Sequence, residues 1–392
     1  MGNNSHTRSA VKFVILLGVV SLCADITYEG ARSITGPFLA VLGAPAVVVG
    51  IVAGVGELIG YALRLVSGYL TDRTGRYWTL TIVGYTVNLL AVPALALAGH
   101  WGTAASLIIL ERFGKAIRTP ARDAMLSHAT AKMGRGWGFG IHEAMDQFGA
   151  VLGPALVAAV LYVTKGYPES FGILLVPAVL SLSMLFVARS LYPHPRRFET
   201  QPTRRQASQG KGFPKSFWFY MGFIALTVSG YAPFQLMSFH FKSASLVSDA
   251  YIPVIYAVAM GVDGVVALFI GRLYDRRGQA ALLAVPLLSV PIAPLVFSGN
   301  YNLALVGAML WGAAMGVQET IMRAAIADMV PATKRGLAFG IFNSIYGLSW
   351  FIGSSIMGFL YEVSILHLVF FSVALELLSF PILYGVIRKT LR

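Results

Sequence analysis

Long apolar runs separated by short polar breaks recur from Val11 to Ile387. A helix of about 20 apolar residues crosses a hydrocarbon core of roughly 30 Å. Twelve runs meet that length, at about 12–41, 46–71, 77–98, 104–126, 136–163, 170–189, 217–239, 251–273, 280–298, 303–327, 337–360 and 367–387. The one long polar stretch is 190–216, rich in Pro, Arg, Gln and Ser, which has the composition of a solvated linker. It divides six spans from six, so the pattern predicts an all-α membrane protein with an N-terminal six-helix bundle over 1–189 and a C-terminal one over 217–392.

Composition agrees with that pattern. Of 392 residues 56% are hydrophobic and only 12% charged, far less charge than a soluble domain carries. The net charge of +13 invites a nucleic-acid reading, but its placement argues otherwise. Of the 30 Lys and Arg residues, 21 fall at the termini and in loops on one side, only Lys165 and Lys242 on the other, and seven inside spans. The positive-inside rule then sets both termini and the central linker in the cytoplasm, and no nucleic-acid partner is expected. The first span carries Asp25 and Glu29 and no small-residue cleavage site, so no cleavable leader is expected. A lone cysteine, Cys23, rules out an intrachain disulfide and a cysteine-cluster metal site.

The two halves echo each other. Gly68-Tyr69-Leu70-Thr71-Asp72-Arg73-Thr74-Gly75-Arg76 is matched 203 positions on by Gly271-Arg272-Leu273-Tyr274-Asp275-Arg276-Arg277-Gly278-Gln279. Arg135-Gly136 with Phe139-Gly140 is matched 200 positions on by Arg335-Gly336 with Phe339-Gly340. Each pair falls between the same two spans of its half, which makes the chain an internal duplication.

A parallel six-plus-six repeat with a cytoplasmic Gly-x-x-x-Asp-Arg-x-Gly-Arg loop resembles the major facilitator superfamily of secondary transporters, over essentially the whole chain. Gly68, Leu70, Asp72, Arg73, Gly75, Arg76 and Leu80 fit that family's motif A, and Tyr77 departs from it. The resemblance implies that this loop and its repeat, Asp275, Arg276 and Gly278, latch the cytoplasmic side, with Asp123 near the end of span four joining the relay. Gly149, Gly153 and Pro154 fit a span-five pattern associated with exporters of the drug/proton antiporter kind, and Arg112 maps onto the family's span-four arginine.

Charges inside the spans are the candidate chemistry. An ionised side chain at mid-bilayer costs about 2.5–3.5 kcal/mol on insertion scales, so such groups face inward. On span one Asp25, Tyr28, Glu29 and Arg32 recur at i, i+3, i+4 and i+7, one stripe of a helix. Glu29 and Arg32 can pair, which leaves Asp25, roughly 20 Å along the helix, as the expected proton carrier. Span two adds Glu57 and Arg64 on one face, with Glu57 at a depth where it could meet that stripe. On span four Arg112, Lys115, Arg118 and Arg122 lie within ~120° of arc. Like charges so stacked need an anionic answer, from Glu111, Asp123, Glu143 and Asp146 or from an anionic substrate; Arg118 and Arg122, toward the cytoplasmic end, are alternatively solvated. His142 and Asp146 stand at i,i+4 on span five, readable as a proton relay, an ion pair or a metal site.

The second half differs in kind. Its buried charges are few (Asp263, Glu319, Arg323 and Glu376), and span seven is aromatic, with Tyr231 beside a Gly230–Pro233 break able to flex. One charged wall and one aromatic wall suit an amphiphilic organic substrate. The expectation is a transporter working by alternating access, with proton-coupled export of a small amphiphilic or anionic organic molecule preferred. The alternatives are uptake of organic anions, metal or inorganic-ion export and, remotely, an intramembrane enzyme; no catalytic constellation supports the last. Expected partners are a small-molecule substrate, protons and the lipid bilayer. The chain is expected to be a monomer without cofactor or bound metal, in the inner membrane of a prokaryote.

Overall fold

The computed structural model describes residues 2–130, 135–194, 212–330 and 334–390. Most of the linker at 190–216 therefore lies outside the described residues, as do the side chains of Arg135–Gly140, which carry the first copy of one repeated motif. All regular structure among the described residues is helical. The first half holds α1 (Gly2–Val41), α2 (Ala46–Thr74), α3 (Tyr77–Ala94), α4 (Trp101–Thr130), α5 (Arg135–Thr164), α6 (Tyr167–Gly172) and α7 (Leu175–Leu191). The second holds α8 (Lys215–Gly230), α9 (Phe234–Ser243), α10 (Tyr251–Arg277), α11 (Ala284–Ser289), α12 (Ile292–Val296), α13 (Tyr301–Met329), α14 (Arg335–Val363) and α15 (Ile365–Thr390).

These helices make up twelve spans of an all-α membrane protein. Ten stretches are long and apolar enough to cross a bilayer by length and hydropathy alone. The count falls short of twelve for two physical reasons. Tyr251–Val296 is one 46-residue apolar stretch that holds two spans, and α4 carries too many charges to qualify. Proline accounts for the broken spans, since it removes a backbone donor and crowds the preceding turn. The expected span at 280–298 is a 3-10 turn (Gly278–Leu283) followed by α11 and α12, which contain or flank Pro286, Pro291 and Pro294. Span seven divides into α8 and α9 at Tyr231–Pro233, where the sequence placed a break.

Two compact units make up the chain: 1–34 with 62–204, and 35–61 with 205–392. Within the first, small residues let backbones approach closely. Gly84 on α3 and Gly114 on α4 face each other's helices, and a methyl group added at Gly114 would meet the Cα of Asn88 at 2.8 Å. Gly149 and Gly153 on α5 press against α1, where an added Cβ at Gly149 would meet Leu22 O at 2.6 Å and Asp25 Cβ at 2.7 Å. Hydroxyls stitch further helices: Ser67 donates to the Ala116 carbonyl at 2.8 Å and Ser181 to that of Val20 at 2.7 Å.

Within the second unit the end of α1 and the first part of α2 pack on the later helices. An added Cβ at Gly54 would meet the Phe351 Cα at 2.8 Å, and one at Gly50 the Gly358 Cα at 3.0 Å. The Val47 amide donates to Glu362 Oε1 at 3.1 Å. The duplication also shows in the backbone. Gly75 and Gly278, equivalent in the two loops, both take positive φ, +63° and +56°. Glycine enters that region without a Cβ penalty.

Gly114→Val is expected to destabilise the first unit by about 1–3 kcal/mol, the cost of overpacking a close helix contact. Thermal unfolding of the purified protein measures it; an unchanged melting temperature would show that α3 and α4 are not in close contact.

Candidate functional site

The charged stripes foreseen on spans one, four and five meet inside the first unit. Glu29 Oε1 lies 3.7 Å from Arg32 Nη1, as the i,i+3 spacing implied, and 3.8 Å from Lys115 Nζ on α4. The Lys115 ammonium also sits 3.8 Å from the centre of the Tyr28 ring. Arg112 Nε pairs with Glu111 Oε2 at 3.1 Å. Asn88 on α3 steadies that carboxylate, donating to Glu111 Oε1 at 2.7 Å and to the Glu111 carbonyl at 3.0 Å.

About two turns beyond Lys115 on α4, Arg122 bridges three elements. Its guanidinium pairs with Asp123 at 2.8 Å, donates to Ser21 Oγ on α1 at 3.0 Å, and lies 3.9 Å from Asp146 Oδ2 on α5. The same Asp146 oxygen is 3.3 Å from His142 Nδ1. Glu143 is within electrostatic reach of Asp146, Arg122 and His142. Arg118 and Arg122 are therefore not a solvated end of the stripe: Arg118 is 1% exposed, and the Arg122 side chain is 13% exposed. The close approach of α3 to α4 at Gly84 and Gly114 encloses them.

Two members of this cluster stand apart. Asp25 is 3% exposed, its Oδ1 has no hydrogen-bond partner, and the charges it feels most are Asp146, Lys115, Arg118 and Glu29. Arg118 stacks 4.2 Å from the centre of the Tyr85 ring and 5.5 Å from that of Tyr28. Its Nε and Nη1 have no hydrogen-bond partner. Burying an ion costs several kcal/mol even after relaxation, so a cluster of this density persists only where the charges answer one another.

The second unit carries an aromatic ladder instead. Tyr61 lies 5.0 Å from Tyr346, Tyr346 lies 5.8 Å from Trp350, and Trp350 lies 5.7 Å from Tyr231, centre to centre. Tyr231 stacks on Trp311 at 5.7 Å and donates its hydroxyl to the Trp311 carbonyl at 2.6 Å, so that hydroxyl is committed within the fold. Tyr346 donates to Gln318 Oε1 at 3.1 Å. Glu57 belongs to this unit, near Tyr346 together with Tyr61, Glu319 and Arg323, whereas Arg64 belongs to the first unit.

Sequence reasoning missed Tyr85, Asn88, Ser21, Gln318 and Tyr346 as members of these clusters. The available signal was polar side chains within apolar spans, with Asn88 and Tyr85 beside Gly84. In the repeated loops, Asp72, Arg73, Arg76, Asp275 and Arg276 are exposed, and Asp123 is taken by Arg122. Tyr274, beside Asp275, donates to Asp328 on α13 at 2.7 Å. Among the described residues no three His, Cys, Asp or Glu side chains group as a metal site would require.

The sequence model of the Major Facilitator Superfamily matches residues 17–298 and 246–390. The chain belongs to this superfamily. It is a multi-pass membrane transporter rather than an enzyme. The uncharacterized protein Rv2265 of Mycobacterium tuberculosis is 43% identical over 390 residues, spanning 98% of this chain and 95% of the relative. The uncharacterized MFS-type transporter MJ1317 of Methanocaldococcus jannaschii is 26% identical over 371 residues, 92% of each chain. The quinolone resistance protein NorA of Staphylococcus aureus is 25% identical over 118 residues, 30% of each. Among solved structures, the nucleoside transporter NupG superposes with a TM-score of 0.72 at 13% identity, covering 96% of this chain and 98% of that one, which speaks to the fold alone.

Asn88→Leu removes both donors to Glu111 and is expected to destabilise the protein by about 1.5–3 kcal/mol, the range for a hydrogen bond to a charged group. Denaturant titration checks it, and a neutral result would remove Asn88 from the support of the Arg112–Glu111 pair.

Proposed function

We propose that this transporter couples inward movement of protons to export of a small amphiphilic or anionic organic molecule by alternating access. The moving bodies are the six-span halves 1–189 and 217–392, both termini are cytoplasmic, and the working form is a monomer in a prokaryotic cell membrane. The observation that carries the proposal is the buried cluster of α1, α4 and α5, in which Asp25 keeps one carboxylate oxygen without a hydrogen-bond partner while Lys115 and Arg118 are the cations that act on it. A group that binds a proton can shift a conformational balance only if its surroundings differ between the two states. In this reading a proton on Asp25 changes the balance of charge that it shares with Lys115 and Arg118 on α4 and Asp146 on α5.

Export is favoured over uptake by the Gly149–Gly153–Pro154 pattern on α5, whose glycines seat directly on α1 beside Asp25. The partial likeness to a quinolone resistance protein points the same way. The loops at Gly68–Arg76 and Gly271–Gly278 serve as the cytoplasmic latch. Uptake of organic anions by the same fold is the second reading, for which the basic stripe of α4 would serve equally.

In proteoliposomes under an imposed pH gradient, Asp25→Asn is expected to abolish gradient-driven flux of a transported solute while leaving gradient-free exchange partly intact. Driven flux at the level of the unaltered protein would remove Asp25 from proton coupling.

A further inference from the structure

The four cations of α4 are not equivalent. Arg112 is matched by Glu111, Lys115 by Glu29, and Arg122 by Asp123 and Asp146. Among the described residues no carboxylate forms an ion pair with Arg118. Its guanidinium lies over the Tyr85 ring, and stacking satisfies only the face of that flat group. In the plane, two of its donors, Nε and Nη1, are left without an acceptor at 1% exposure. The hydroxyl of the same Tyr85, whose ring is fully buried, also has no hydrogen-bond partner. The backbone holds the side chain in this place: Gly84 lies so close that an added Cβ would meet Arg118 N at 2.6 Å and Arg118 Cβ at 2.7 Å.

A buried guanidinium edge without an acceptor is far costlier than a paired one, because the charge keeps its desolvation penalty and gains no bond. The paired cations of the stripe have spent their charge inside the protein. We infer that Arg118, stacked on Tyr85, is the anion-binding subsite of the transporter, its in-plane N–H groups taking a carboxylate, phosphate or sulfonate group of the transported molecule. A planar guanidinium with free in-plane donors suits an oxyanion. This assignment rests on the transport reading but not on its direction, and it narrows anion recognition from the whole stripe of α4 to one of its members.

The full chain in lipid nanodiscs, with no gradient applied, is titrated with benzoate, phenyl phosphate and benzenesulfonate while the melting temperature is followed. At least one of the three is expected to stabilise the unaltered protein saturably, and which one does separates the carboxylate, phosphate and sulfonate cases. Arg118→Gln is expected to weaken that binding about ten- to a hundredfold, the loss of charge-assisted hydrogen bonds. Arg118→Lys, which keeps the charge but not the fork, is expected to fall in between, and Arg189→Gln, removing the same charge at the end of α7, to match the unaltered protein. Should Arg118→Gln fail to fold, Tyr85→Phe carries the test with an expected loss of about fivefold, one neutral hydrogen bond. No saturable stabilisation by any of the three, or unchanged affinity in the Arg118 and Tyr85 variants, overturns the inference. Proton-driven flux that survives such a result would leave the coupling reading intact; anion binding through Arg118 without any proton-driven flux would do the reverse.

Discussion

Charge inside a low-dielectric fold has to be answered by charge, and the first unit is organised around that requirement. Four cations with carboxylate partners, and Arg118 stacked on Tyr85, lie among α1, α4 and α5, with α3 closing over α4 through the Gly84–Gly114 approach. Each contact is modest in length, between 2.8 and 3.9 Å, and several carboxylates serve two partners. Such sharing makes the arrangement sensitive: changing the charge of one member alters the partners available to the others. Transport by alternating access needs elements with two arrangements whose balance a small ligand can tip, and a shared ion-pair cluster is one physical form of that element.

The second unit solves a different problem. Its polar groups are few and mostly committed, as with the Tyr231 hydroxyl on the Trp311 carbonyl and Thr227 on Glu376 at 2.6 Å. What remains is a stacked aromatic surface with buried donors, Trp350 Nε1 and Gln318 Nε2, lacking acceptors. The division of labour between ionised and aromatic surfaces follows from the unequal placement of charge in the two halves of a duplicated chain.

Much of this was legible in the residues. Twelve spans, the duplication and the one-face spacing of Asp25, Glu29 and Arg32 follow from periodicity, and the Glu29–Arg32 pair formed as its spacing implied. The partners of α4 were legible in part: Glu111, Asp123 and Asp146 stood among the expected answers to its cations, whereas Glu29 on Lys115 and Ser21 on Arg122 did not. Arg122 reaches Ser21 and Asp146 only because α1 and α5 are drawn together by Gly149 and Gly153, a tertiary consequence that helical spacing does not encode. Burial of Arg118 was likewise hidden, since whether the cytoplasmic end of a span is solvated depends on how tightly its neighbour packs. Asn88 and Tyr85 read as incidental polar residues until α3 is laid against α4. The breaks at Pro286 and Pro291 were visible as prolines, but an unbroken apolar run masked them.

The central claim is that the cations of α4 and the carboxylates of α1 are energetically coupled across the two helices. A double-mutant cycle on Glu29→Gln and Lys115→Met, read as unfolding free energies in mixed micelles, tests it most directly. The account predicts a favourable coupling of about 1–3 kcal/mol between the two positions. Effects that add to within about 0.5 kcal/mol would contradict it.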